Sequence, residues 1–117
     1  MYFCTPIKDK FEIEFLDEAR EFLKTIEEKA RYKLIFNIDK SKKYNDPKVF
    51  KKLDNEIWEF RTKYKNLQHS LLAFWDKRNN RNTLVVCTHG FIKKTDKVPK
   101  QEIEKARNLM KQYFETY

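Results

Sequence analysis

Residues 83–91, with the sequence TLVVCTHGF, form the segment on which the predicted topology depends. Residues 84–87 are apolar on both faces of an extended chain, which is typical of a strand with a neighbour on each side. Gly90 is the only glycine in the chain. Because a strand interior normally carries a side chain, this glycine indicates a bulge or a close backbone approach. The segment is therefore predicted to be a central strand.

Three further strands are predicted from the alternation of side chains. Residues 57–65 alternate aromatic or threonine side chains with charged ones, which is the period of a strand with one packed and one basic face. Residues 71–75 are almost continuously apolar, and the polar turn at residues 76–82 joins them to the central strand as a hairpin. Residues 11–15 alternate Phe or Ile with Glu, which predicts a short first strand.

Three helices are predicted from periodicity and capping signals. An apolar spacing of three and four from Ala19 to Ala30 predicts an amphipathic helix that begins at Asp17. Asp46 followed by Pro47 predicts a second, short helix to about residue 53, because proline suits the first helical position. Pro99 opens a C-terminal helix with one apolar stripe. The predicted fold class is α+β, an antiparallel sheet with a mixed edge, two N-terminal helices and a C-terminal helix.

Size and charge restrict the kind of protein. With 117 residues, the chain is expected to form a single domain over residues 1–117. It contains 26 Lys and Arg against 18 Asp and Glu, a formal net charge of +8. Residues 57–97 hold nine of the basic residues and three acidic ones, so an anionic partner is expected to bind this half. The alternative is a solvated surface that only maintains solubility.

Several classes of function are disfavoured. A single glycine excludes a glycine-rich phosphate loop, and His69 and His89 lack the Cys or acidic neighbours of a metal site. No metal and no cofactor are therefore expected. Cys4 and Cys87 show no disulfide or metal-binding spacing and are expected to be reduced thiols. Without a signal-peptide pattern or an apolar stretch of 18 residues, a cytoplasmic protein with no membrane contact is expected.

The chemistry most compatible with these residues is RNA cleavage through the 2′-hydroxyl of the RNA itself, which needs charge stabilisation and proton transfer but no metal. Arg61 is the predicted phosphate stabiliser. Lys93, Lys94 and Lys97 are candidates for charge stabilisation or for a lysine that transfers protons. His89 is a candidate base or acid, and the alternative is a structural histidine held by hydrogen bonds.

Other basic residues are expected to bind the RNA chain. These predicted RNA-binding residues are Lys63, Lys65, Lys77, Arg78 and Arg81. Three separate segments of the chain are expected to converge on one sheet face, where cations bind phosphates and aromatic rings stack on bases. The alternative for Arg61 is an ion pair with Glu59 or Glu56, which contributes little when it is exposed.

Two segments carry a family likeness. They are Glu59-Phe60-Arg61 and residues 89–106, HGFIKKTDKVPKQEIEKA. They resemble the phage-related HigB-like toxin branch of the RelE/ParE toxin superfamily, which shows Glu-Leu-Arg on one strand and His-Gly-Phe-x-Lys-Lys-Thr-x-Lys-Thr-Pro-x-x-Glu-Ile-x-x-Ala at the last strand and helix. Arg61, Lys93, Lys94 and Lys97 fall on motif positions of that branch.

The resemblance implies a RelE-like fold and a toxin of a type II toxin–antitoxin system. Such a toxin is a ribosome-dependent messenger RNA endoribonuclease (an mRNA interferase) that inhibits translation, with a helix-turn-helix antitoxin as its partner. Many relatives carry arginine where Ser70 stands, so two alternatives stay open. One is a non-catalytic or degenerate toxin-fold module that only binds its antitoxin, and the other is a ParE-like inhibitor of DNA gyrase.

Overall fold

The structure is a computed structural model that describes residues 9–78, 83–95 and 97–117. Its elements, in chain order, are β1 (Glu12–Phe15), α1 (Asp17–Thr25), α2 (Glu28–Lys43), β2 (Phe50–Lys52), β3 (Trp58–Tyr64), β4 (Leu67–Asp76), β5 (Leu84–Lys93) and α3 (Lys100–Thr116). No helix in these three ranges is both long and apolar enough to cross a membrane.

The strands form one five-stranded sheet in the order β1-β5-β4-β3-β2. β1 pairs with β5 in parallel, and the other three pairings are antiparallel. The α+β class and the antiparallel sheet with a mixed edge are therefore confirmed. β5 lies between β1 and β4, as its apolar residues 84–87 predict, because a strand with two neighbours has both faces covered.

Helices cover both faces of the sheet. The face formed by Phe60, Leu71, Ala73, Val85 and Cys87 packs against α1 and α2, and we call it the α1–α2 face. The opposite face, formed by Leu72, Phe74 and Val86, packs against α3, and we call it the α3 face. Because successive residues of a strand point to opposite faces, each strand contributes to both layers of the core.

Gly90 lies next to a bulge and beneath a helix, so both predicted roles of this segment are present. The register between β4 and β5 shifts at Leu72 and Ala73, where Thr88 is the extra residue of β5. This bulge reverses the alternation of β5, so that His89 shares the α3 face with Val86. On the other face, a Cβ atom at Gly90 would lie 2.1 Å from Cδ2 of Phe22 in α1. Only glycine leaves room for this ring.

The predicted N-terminal helix is two helices. α1 begins at Asp17 as expected, but Ile26 is extended, with φ −83° and ψ 163°, and the chain turns before α2 begins. Both helices bury small and aliphatic residues against the same sheet face. The apolar spacing therefore continues across the break, and neither glycine nor proline marks it.

The short helix predicted after Asp46 is wrong, because that segment is a turn followed by the edge strand β2. Asp46 does accept the amide of Lys48 at 3.0 Å, and its carbonyl accepts the amide of Phe50, also at 3.0 Å. The chain then becomes extended because the Phe50 ring stacks on Phe60 with centroids 4.0 Å apart. The capping residue Asp46 therefore produces one turn, and aromatic packing makes the following residues a strand.

Candidate nucleic-acid interface

Three neighbouring strands place nine side chains in three rows on the α3 face. Each row contains one residue from β3, one from β4 and one from β5. The rows are Glu59–Leu72–His89, Arg61–Ser70–Phe91 and Lys63–Gln68–Lys93. We call these nine residues the polar grid. The bulge at Thr88 is what brings the β5 members to this face, since an uninterrupted strand would place Lys93 on the opposite side.

A buried carboxylate lies within the polar grid. Glu59 is fully buried, and its Oε2 accepts hydrogen bonds from Ser70 Oγ at 2.6 Å and from Lys93 Nζ at 3.0 Å. Its other oxygen, Oε1, has no hydrogen-bond partner in the described part of the chain. Burying a charge is costly unless it is paired. The cation at Lys93 and the carboxylate of Glu59 therefore form one unit, with only 6% of the lysine side chain exposed.

Within the described ranges, one hydrogen bond holds the Arg61 side chain. Its Nε donates to the backbone carbonyl of Lys48 at 2.9 Å, beside the turn that precedes β2. It forms no ion pair with Glu59 or Glu56 among the described residues, because Glu59 binds Lys93 and Glu56 lies 3.9 Å from Arg107. No other residue in the described ranges binds the terminal N–H groups of this half-buried guanidinium, and phosphate matches their geometry.

His89 connects β5 to α3. It is only 2% exposed, and its ring nitrogens lie 3.1 Å from Thr88 Oγ1 and 3.1 Å from Glu102 Oε1. Burial lowers the pKa of His89, although the hydrogen bond to Glu102 acts in the opposite direction. Of the two interpretations of this residue, its placement favours the structural one.

The remaining motif lysines lie in the connection between β5 and α3. Lys94 follows Lys93 directly, Lys97 lies three residues further on, and both are exposed. On β5 itself, the half-buried ring of Phe91 lies 6.0 Å from Lys93 Nζ. Cations next to an aromatic ring form the combination that binds single-stranded nucleic acid.

Two groups of predicted RNA-binding residues lie elsewhere. Lys65 is in the two-residue turn between β3 and β4, where φ is positive, and its Nζ binds Glu27 at 3.0 Å on the side of α2. Lys77 and Arg78 follow β4 at the end opposite Gln68, a separation along the strand of about 27 Å. The three segments therefore do not converge on one surface as expected, and Arg81 lies outside the described residues.

The guanidinium of Arg78 is engaged in hydrogen bonds within the protein. Its Nε and Nη2 bind the two oxygens of Asp76 at 3.0 Å each, and Nη1 donates to the carbonyl of Tyr117 at 2.8 Å. Hydrogen bonds from Arg78, and a further one from Tyr113, lower the pKa of Asp76 to about 2 despite its burial. We call Asp76, Arg78, Tyr113 and Tyr117 the C-terminal latch, because they attach the end of α3 to β4.

Sequence reasoning missed Glu59 and Phe91 as members of the interface. Glu59 is the one acidic residue among the alternate positions of β3 that also include Arg61 and Lys63. An acidic residue in a row of basic ones was the sequence feature that could have identified it. Phe91 gave no signal of its own, since its face depends on the bulge.

The fold and site define a basic α+β protein whose sheet carries Arg61, Lys63 and Lys93 on one face. Residues 21–111 match the family described as phage derived protein Gp49-like, and the chain belongs to this family. The family is part of the RelE/HigB-like toxin superfamily, fits a toxin of toxin–antitoxin systems, and suggests an antitoxin as partner. No curated protein and no solved structure gives a significant match.

Proposed function

We propose that the protein is the toxin of a type II toxin–antitoxin system, of the phage-related HigB-like branch, and that it cuts messenger RNA on the ribosome. One observation carries this proposal. Arg61, Lys63 and Lys93 lie on the same face of the sheet, around Phe91, although they come from strands separated in sequence. The family to which the chain belongs supports the same interpretation.

The proposed reaction needs no metal. The 2′-oxygen of the RNA attacks the adjacent phosphorus, the bond to the 5′-oxygen breaks, and the products are a 2′,3′-cyclic phosphate and a 5′-hydroxyl. The proton leaves the 2′-hydroxyl for a base, and an acid supplies one to the 5′-oxygen. Arg61 stabilises the negative charge on the phosphate in the transition state, and Lys93, Lys94 and Lys97 supply further positive charge.

His89 takes no proton-transfer role in this proposal. Its buried ring is engaged by Thr88 and Glu102, so it does not reach the RNA. The proton acceptor and donor are then solvent, ribosomal RNA or an exposed lysine such as Lys94. Dependence on the ribosome follows naturally, because the ribosome holds the messenger RNA in the geometry that the reaction requires.

The proposed partners are the ribosome, messenger RNA and a helix-turn-helix antitoxin, all in the cytoplasm. The net charge of +8 supports association with ribosomal RNA, because cations steer a protein toward phosphate chains. Lys63, an exposed member of the polar grid, and Lys97, exposed in the connection between β5 and α3, would form part of the contact surface.

The test is to induce the protein in bacterial cells and map the 5′ ends of messenger RNA. New ends in phase with codons, absent after induction of the Arg61→Ala or Lys93→Ala variant, are expected. Each variant is compared at equal protein level, since a lower level alone would reduce the number of cuts. Wild-type protein that arrests growth without new 5′ ends would refute the proposal.

A second candidate is a binding module without catalysis, either a degenerate toxin or a ParE-like gyrase inhibitor. Two observations favour it: Ser70 contributes no charge at the middle of the polar grid, and His89 is engaged by the fold. Gyrase inhibition would produce DNA damage without codon-phased cuts, so the same induction experiment separates the two candidates.

A further inference from the structure

We propose that Glu59 is the positioning residue of this interface, whose buried carboxylate holds the Lys93 ammonium in place on the α3 face, which also carries Arg61. The inference rests on the proposed function. Glu59 is fully buried and does not touch the RNA, so it acts through Lys93.

The geometry indicates that the ion pair between Lys93 and Glu59 is well ordered. Lys93 Nζ lies 3.0 Å from Glu59 Oε2, and the side chains are 6% and 0% exposed. Ser70, on the strand between them, donates to the same oxygen at 2.6 Å and so fixes the carboxylate from a second direction. The pair therefore spans β3, β4 and β5, with both ends attached to the rigid sheet.

A stabilising role alone is a weak explanation for this pair. Removing two charges from water is expensive, and apolar residues of the same size often pack as well or better. Glu59 also leaves its Oε1 without a partner in the described part of the chain, which adds to the cost. What the pair supplies is a lysine whose side chain is ordered before RNA arrives, so that no rotamer freedom is lost on binding.

This role has a distinct signature. Glu59 is negatively charged and lies under a surface that binds phosphate, so its charge opposes RNA binding. Removing it should leave RNA affinity unchanged or higher, while the rate of cleavage falls because Lys93 is no longer held. A residue needed only for folding would not separate these two quantities.

The experiment measures cleavage of a defined messenger RNA on purified ribosomes by wild type, Glu59→Gln, Lys93→Gln and the double variant. For Glu59→Gln we expect kcat to fall by about tenfold or more, because misplaced groups lose rate steeply. KM and the Kd for a single-stranded RNA oligonucleotide should stay within about twofold or improve. The double variant should be no slower than Lys93→Gln alone, since Glu59 acts through that lysine.

The matched control is Asp54→Asn. Asp54 forms an ion pair with Arg107 on the same side of the sheet and does not contact Lys93. This variant should lower the Tm and leave kcat unchanged below that temperature. A second variant, Ser70→Ala, keeps both charges and removes the 2.6 Å hydrogen bond. It should fold and lower kcat by about threefold, and it decides the matter if Glu59→Gln does not fold.

Three results would overturn the inference: unchanged kcat in folded Glu59→Gln, unchanged kcat in Ser70→Ala, or losses from Glu59→Gln and Lys93→Gln that simply multiply. Absence of cleavage by the wild type would instead refute the proposed function. In that case the ¹⁵N resonance of the Lys93 ammonium decides, since an ordered group gives a signal that Glu59→Gln removes. A wild-type Lys93 without such a signal would contradict the positioning role.

Discussion

Cations lie near both ends of β4, but the molecule uses them differently. Near the Gln68 end, Arg61 of β3 donates through Nε to a carbonyl oxygen, its one side-chain hydrogen bond within the described ranges, and Lys63 of the same strand is exposed. At the Asp76 end, Arg78 has three of its nitrogens engaged by Asp76 and Tyr117, and its guanidinium lies 4.8 Å from the Phe114 ring.

The difference shows why a count of basic residues does not locate a binding surface. A guanidinium that forms a bidentate pair and packs on aromatic rings has little left to offer a phosphate. Arg78 therefore belongs to the fold, and Arg61 is available to a ligand. Whether a cation is available depends on its neighbours in space, which the sequence around it does not state.

The largest expected effect tests this contrast directly. Arg61→Ala should lower kcat for messenger RNA cleavage on ribosomes by about a hundredfold, the usual loss when a donor to the transition state is removed. Arg78→Ala should leave kcat unchanged at a temperature where it is folded. Primer extension on a defined messenger RNA gives both rates. Equal losses in the two variants would break the comparison.

A smaller effect concerns the stability of the C-terminal latch. Asp76→Asn should lower the free energy of unfolding by up to about 2 kcal/mol near neutral pH, less where solvent screens the exposed guanidinium. The reason is that the pKa of Asp76 lies at about 2 in the folded protein, mainly through Arg78, and near 3.9 in the unfolded chain. Its ionised form therefore stabilises the fold.

The pH dependence of that effect follows from its sign. A lowered folded pKa gives stability that is fully present above about pH 4 and is lost as the pH falls toward about 2. The difference between wild type and Asp76→Asn in urea unfolding should therefore shrink over that interval. A difference that persisted unchanged at pH 2 would show that Asp76 stabilises the latch by something other than its charge. Cleavage by Asp76→Asn at neutral pH should match the wild type.

The smallest expected effect compares two exposed lysines. Lys63→Ala should weaken binding of a single-stranded RNA oligonucleotide a few-fold and reduce the slope of log K against log salt by about 0.7, the value for one phosphate contact. Lys77→Ala, at the other end of β4, should change neither quantity. Fluorescence anisotropy at several salt concentrations measures both, and a reduced slope for Lys77→Ala would extend the interface toward the latch.

Sequence reasoning predicted the strands well where their pattern is local. β1, β3, β5 and α3 were expected within a few residues of their observed bounds, because alternation and helical spacing are set by which face is buried. It failed at residues 47–53, where Asp46 and Pro47 indicate a helix but Phe50 is drawn onto Phe60 to form β2. A contact between rings on different strands leaves no trace in a local pattern.

For the interface, the motif cations Arg61, Lys93, Lys94 and Lys97 were named from sequence, and the structure puts the first two on one sheet face. The expected contribution of Lys77 and Arg78 was wrong in its geometry, because the turn after β4 lies at the far end of the sheet. The buried partner of Lys93 was missed altogether. Glu59 is an acidic residue among positions that are otherwise basic, and the role of such a residue becomes clear only from the register of β3, β4 and β5.

By itself, the sequence determined the α+β class, the central place of β5 and the surplus of positive charge in the second half of the chain. The class and the place of β5 follow from the local periodicity of apolar residues, and the surplus of charge follows from counting charged residues. Only the tertiary structure decided which cations are available, because that depends on strand register. The bulge at Thr88 turns Lys93 toward Glu59, and the length of β4 separates Arg78 from Arg61.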